Sequence, residues 1–100
     1  MNQISKVSDI TSTDLYDYLR ISEVTTGDTN TLNNLLAVAK VFIKQYTGCT
    51  DAELDAHSDF VIVVFVLVQD MWDNRTLYVD QSNLNRVVET ILNMHQVNLL

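Results

Sequence analysis

The sequence predicts an all-α fold, a single small domain of about four helices. Three observations carry that expectation. The 100 residues contain no proline and only two glycines, Gly27 and Gly48, too little punctuation for a chain of many short strands and turns. Apolar residues recur at spacings of three and four through most of the chain, the helical period. The longest apolar run, Phe60 to Val68, continues through Met71 and Trp72 without a turn residue, well past the roughly five or six residues of an ordinary strand.

That run needs justifying first, because Val61, Ile62, Val63, Val64, Val66 and Val68 are β-branched. Each β-branched residue costs a helix about 0.5 kcal/mol relative to Ala, whereas burying a large apolar side chain returns about 1.5–3 kcal/mol. Burial outweighs propensity, and a helix over 58–74 is predicted, capped by Ser58. Val61, Phe65, Val68 and Trp72 share one face. Asp59, Ile62, Val66, Gln69 and Asp73 share another, polar at its ends and apolar in the middle. A helix apolar on so many sides needs cover on all of them, more than so short a chain supplies. Ile62 and Val66 are therefore expected to be covered by a neighbouring subunit. The apolar stretch is too short to span a bilayer, so no membrane is expected.

The remaining elements follow in chain order. Residues 1–9 are polar and expected to be flexible. A helix over 11–20 is predicted from Thr11 as N-cap with Asp14 three residues on, and from Ile10 and Leu15 as a hydrophobic staple; Leu15, Tyr18 and Leu19 form its buried face. Glu23–Asn30 reads as a loop around the turn signal Gly27-Asp28. A second helix over 31–47, capped by Asp28 or Thr29, carries Leu32, Leu35, Leu36, Ala39, Phe42, Ile43 and Tyr46 on one side, and Gly48 stands where a helix stops. Thr50 and Glu53 match a capping box, predicting a short turn near 50–56. Thr76–Gln81 reads as another loop. A last helix over 82–96 places Leu84, Val87, Val88, Ile91, Leu92 and His95 on one side. The apolar tail Val97–Leu100 is expected to be flexible until a partner takes it.

Composition narrows the function. Thirteen acids against six bases give a net charge of −7, the opposite of the basic face that nucleic-acid binding needs. A helix-turn-helix regulator fits no better, since Lys40 and Lys44 alone make no recognition face. The single cysteine, Cys49, offers neither a disulfide framework nor a cysteine metal cluster. The first ten residues lack a basic and an apolar region of signal-peptide type, so folding in a cytoplasm is expected. Asp51, Glu53 and Asp55 alternate like calcium ligands, but Ala56 stands where such a loop needs glycine and Ile62 where it needs a bidentate Glu. Cys49 and His57 lack an oxyanion loop and an orienting third group. His57 and His95 would need two further ligands to hold zinc. With two glycines, neither a phosphate loop nor a dinucleotide fingerprint is present. No catalytic residue, metal ligand or cofactor site is assigned, and the protein is not expected to be an enzyme.

Two side chains carry open alternatives. Trp72 is a core anchor or an interface anchor. Arg75 meets the last carbonyls and the negative end of the central helix, or pairs with an acid such as Asp17 or Glu89.

Taken together, the chain resembles a known family. A capped helix ends in Tyr18-Leu19-Arg20-Ile21, a long amphipathic helix ends in Tyr46-Thr47-Gly48, and a very apolar helix ends in Met71-Trp72-Asp73-Asn74-Arg75, before a final helix with Ile91-Leu92. This order, from about Ile10 to Gln96, is similar to the small head–tail connector (adaptor) proteins of tailed bacteriophages and prophages. It departs in having Trp72 where Tyr is usual and Thr76 where an acid is common. The resemblance implies an all-helical structural protein that forms a ring of about a dozen copies, a closed head-to-tail array. Such a ring sits under the portal protein of the virion and presents a platform to the next head-completion or tail protein. DNA passes through without specific binding, in keeping with the acidic balance. Contacts are expected from Ile62, Val66, Trp72 and Arg75, from the loops Glu23–Asn30 and Thr76–Gln81, and from a terminal docking segment that includes His95, Leu99 and Leu100. The alternative function is a small acidic phage protein that binds a host factor.

Overall fold

The structure is a computed structural model that describes residues 6–21 and 25–96. Its described part is all-α, as the periodicity predicts. The helices are α1 (Ser12–Leu19), α2 (Thr26–Thr47), α3 (Asp51–Ala56), α4 (Asp59–Asn74) and α5 (Arg86–Met94), with short 3-10 turns at Val7–Asp9 and Gln81–Asn83.

Three of the five helices start with the same device. At Thr11/Asp14, Thr25/Asp28 and Thr50/Glu53 the threonine hydroxyl accepts the backbone N–H three residues on, and the acid accepts the threonine's own N–H. Each box satisfies two donors that a helix start leaves without partners. The second corrects the sequence reading: α2 begins at Thr26, not Thr31, and Gly27 lies in its first turn. The capping box outweighs the turn signal, because a glycine near a helix start costs only about 1 kcal/mol relative to Ala.

Helix stops are just as local. Arg20, Gly48 and Arg75 all adopt left-handed backbone, with φ of 59°, 77° and 54°. After α1, Ile21 N–H donates to the Tyr16 carbonyl at 3.0 Å; after α4, Thr76 N–H donates to the Met71 carbonyl at 3.0 Å. These are the long-range bonds of Schellman closures. The three motifs that carry the family resemblance are therefore, physically, three helix ends.

α4 is the centre of the packing. It lies mainly along α2, with α5, α1 and the first 3-10 turn against it. Phe60, Val61, Val63, Val64, Phe65, Leu67, Val68 and Met71 are buried, and they meet Leu15, Leu32, Leu35, Ile43, Leu54, Val88 and Leu92 in one core. Tyr18 packs tilted against Phe65 with ring centroids 4.9 Å apart. Thr47 is the one buried polar residue among those described. Its hydroxyl donates to the Ile43 carbonyl at 2.7 Å and accepts Cys49 N–H at 3.2 Å.

Further expectations are corrected. Ser58 makes no side-chain cap; α4 starts instead from backbone turns in which Phe60 and Val61 N–H donate to the His57 and Ser58 carbonyls. The last helix spans Arg86–Met94 rather than 82–96, because Asn85 caps it by accepting Val87 and Val88 N–H, while Gln81–Asn83 close a separate 3-10 turn. Shifting the start leaves Val87 exposed. Within the segment read as flexible, Val7 is buried, and Ser8 N–H donates to Asp55 Oδ1 at 3.0 Å. That bond, with Lys6 and Lys40 adding positive charge, holds the Asp55 carboxyl below its ordinary range. Residues 1–5 and 97–100 lie outside the described part.

Candidate functional site

The surface offers three features: an uncovered face of α4, an apolar groove, and a cluster of imidazoles and a carboxylate.

Ile62 occupies the fourth position of the most apolar helix in the chain, yet it is 55% exposed. Val66, one turn on, is half-buried at the edge of the core. Of the two apolar residues in the middle of the face that sequence periodicity singles out, the chain's own fold thus leaves Ile62 open and covers Val66 in part. Trp72 is half-buried and packed on the core, and it carries the Arg75 guanidinium of the same chain 4.5 Å from its ring centroid. Arg75 forms no ion pair with Asp17 or Glu89; its side chain lies on Trp72, and its backbone N–H meets the last carbonyls. Stacking of this kind contributes about 0.5–1 kcal/mol at an exposed site, whereas left-handed backbone costs a non-glycine residue about 1–2 kcal/mol. Arg75→Ala is therefore expected to lower the melting temperature, and Arg75→Gly to leave the protein at least as stable as wild type. Thermal denaturation of the two variants checks this; equal losses would contradict it.

The groove runs between α2 and the segment after α4. Val38, Val41 and Phe42 form one wall, Leu77, Tyr78 and Val79 the other, around about 350 Å³. Val41, Leu77 and Tyr78 are exposed. The Thr76–Gln81 loop, expected to make contacts, presents Leu77 and Tyr78 to solvent. The other expected loop, Glu23–Asn30, has residues 23 and 24 outside the described part and residues 26–30 folded into α2. On the far side of the same segment, Asp70 lines a smaller cavity of about 160 Å³. Burial, then the neighbouring Asp73, raise its pKa.

The sign of that shift sets a pH dependence. A carboxyl whose folded pKa is raised opposes folding when ionised, and the opposition disappears as pH falls through the raised value. Asp70→Asn is expected to stabilise the fold at pH 7 by no more than about 0.5 kcal/mol, since the site is largely solvated. The advantage should vanish near pH 3; a melting curve at each pH tests it.

The third feature joins residues far apart in sequence. His57 ends α3, Asp59 opens α4 and His95 ends α5. His95 Nε2 lies 2.7 Å from Asp59 Oδ2. The His95 ring packs tilted against His57 at 4.3 Å and against buried Phe60 at 4.7 Å between centroids. Cys49 Sγ donates to the His95 carbonyl at 3.6 Å, which ties α5 to the end of α2. Spacing had left the two histidines without further ligands; the fold supplies Asp59. The acids that imitate a calcium loop have other tasks: Asp51 pairs with Lys44 at 3.1 Å, Glu53 completes a capping box, and Asp55 holds Ser8. Of the residues expected to make contacts, Ile62 and Val66 lie on α4, Trp72 and Arg75 at its end, and His95 in this cluster, while Leu99 and Leu100 lie outside the described residues.

No family model, no curated protein and no solved structure matches the chain.

Proposed function

We propose that this protein is a structural head–tail connector, a subunit that assembles as a ring under a portal protein and links a capsid to its tail. The observation that carries the reading is Ile62, exposed in the middle of the most hydrophobic helix. An isolated exposed Ile needs no explanation. This one shares a surface with half-buried Val66, and a second apolar surface opens at Val41, Leu77 and Tyr78. Two separate apolar surfaces on one subunit suit a head-to-tail contact, in which each copy presents one surface to the copy before and the other to the copy after. The three helix-end motifs and the helix order support the same reading. The net charge of −7 suits a channel through which DNA passes without adhering.

The test is mass. The chain alone, and mixed with a purified portal protein of the phage or prophage that encodes it, is measured by native mass spectrometry or light scattering. A ring of about a dozen copies, free or on the portal, is expected. A monomer or dimer in both conditions overturns the reading and favours a small interaction protein. An isolated ring should also release duplex DNA at physiological salt; tight retention would contradict the channel.

A further inference from the structure

We propose that His57, Asp59 and His95 form a binding site for a divalent transition-metal ion of the zinc type. The proposal does not rest on the connector reading.

Two imidazoles and a carboxylate each offer one ligand atom, and all of these atoms lie within 4.8 Å of one another. A tetrahedral zinc ion holds nitrogen and oxygen ligands at about 2.0–2.2 Å, which places the ligand atoms about 3.3–3.5 Å apart. The 2.7 Å contact between His95 and Asp59 must therefore open slightly and the His57 ring must close in. His57 is exposed at the junction between two helices, where a side-chain rotation meets little resistance.

The three residues are well placed to act together. Each sits at the end of a different helix, and those ends are held by the core through Phe60, Leu54 and Leu92. Phe60 lies under the His95 ring and edge-on to His57, so one side of the site is apolar and dry. Asp59 does not cap its own helix; its carboxylate turns instead to His95. The two imidazole centroids lie 4.3 Å apart, close enough for one ion to reach both rings. Nitrogen ligands select zinc, cobalt, nickel or copper over magnesium and calcium, which prefer oxygen. Three protein ligands leave an open position for water or for a donor from another molecule. Bound metal would fasten the end of α5 to the α3–α4 junction.

The full-length chain, stripped with a chelator and dialysed, is titrated with Zn²⁺ by calorimetry and with Co²⁺ by visible absorption. One ion per chain, tetrahedral Co²⁺ bands and a higher melting temperature with Zn²⁺ but not Mg²⁺ are expected. His57→Ala should weaken Zn²⁺ binding by at least about tenfold, because loss of even an outer-sphere partner costs that much, while the metal-free melting temperature stays near wild type. Asp59→Asn retains a hydrogen-bonding side chain toward His95, removes the anionic ligand and should weaken binding similarly. No saturable uptake by the wild type at about 100 µM Zn²⁺, far above an ordinary site's dissociation constant, overturns the proposal. So does unchanged affinity in folded His57→Ala and Asp59→Asn variants.

Discussion

Phe60→Ala is expected to destabilise the protein by about 3–5 kcal/mol, the usual range for removing a buried aromatic side chain. Phe60 is fully buried at the start of α4. Its ring packs against the imidazoles of His57 and His95 and belongs to the core. Truncation opens a cavity where three helix ends meet, and rigid helix ends collapse poorly into such a space. A domain of this size has about 5–15 kcal/mol of stability in total, and each kcal/mol moves the melting temperature by about 4–8 °C. A loss of about 3–5 kcal/mol therefore lowers the melting temperature by roughly 12–40 °C. Urea denaturation with Phe60→Leu as a control checks the cause. Leucine restores most of the volume and should recover much of the loss; a leucine variant as unstable as alanine would place the cause in the aromatic contacts rather than in the cavity.

The same residues show what a sequence makes visible. Local chemistry was readable: Thr11 with Asp14, Thr50 with Glu53, and Gly48 with its left-handed backbone all act within four residues of chain. The core face of α2 was readable because one helical period runs through it unbroken. Where two local signals competed, the reading failed. Gly27-Asp28 suggests a turn, but Asp28 also completes a box with Thr25, and the box prevails. The last helix is expected from residue 82, but Asn85 caps it, and Val87 is exposed. Hardest to read is the meeting of His57, Asp59 and His95. Asp59 and His95 are separated by 36 positions and come together only because α5 folds back along α4. No spacing rule spans such a distance.

The uncovered positions were legible for a different reason. A face defined by periodicity tells which residues a helix points together, even before anything is known of what lies opposite. Asp59, Ile62, Val66, Gln69 and Asp73 were grouped in that way. In the fold the two ends of the group are polar, Val66 is half-buried and Ile62 is open. Under the proposed connector function, a neighbouring copy would cover Ile62.

If the chain assembles as the proposed ring, Ile62→Asp is expected to abolish that assembly while leaving the subunit folded. The substitution lies in the first turns of α4, where a negative charge meets the positive helix end, partly offset by repulsion from Asp59 three residues earlier. Because Ile62 is largely solvated in the single chain, the change in its melting temperature should stay within a few degrees, as for other surface positions. At a subunit contact the same change acts twice. The burial of isoleucine, about 1.5–3 kcal/mol, is lost, and a carboxylate without a partner is pushed out of water. Uncompensated buried charges cost about 3–5 kcal/mol, or roughly two to four orders of magnitude in each contact constant. A ring closes only if every contact forms, so the penalty multiplies around the circle. Ile62→Val, which keeps the surface apolar, should assemble normally. Light scattering of the three proteins, alone and with portal, reads the outcome. An Ile62→Asp protein that assembles like wild type would show that this face of α4 points away from the neighbouring subunit, and the groove at Val41, Leu77 and Tyr78 would then be the surface to alter.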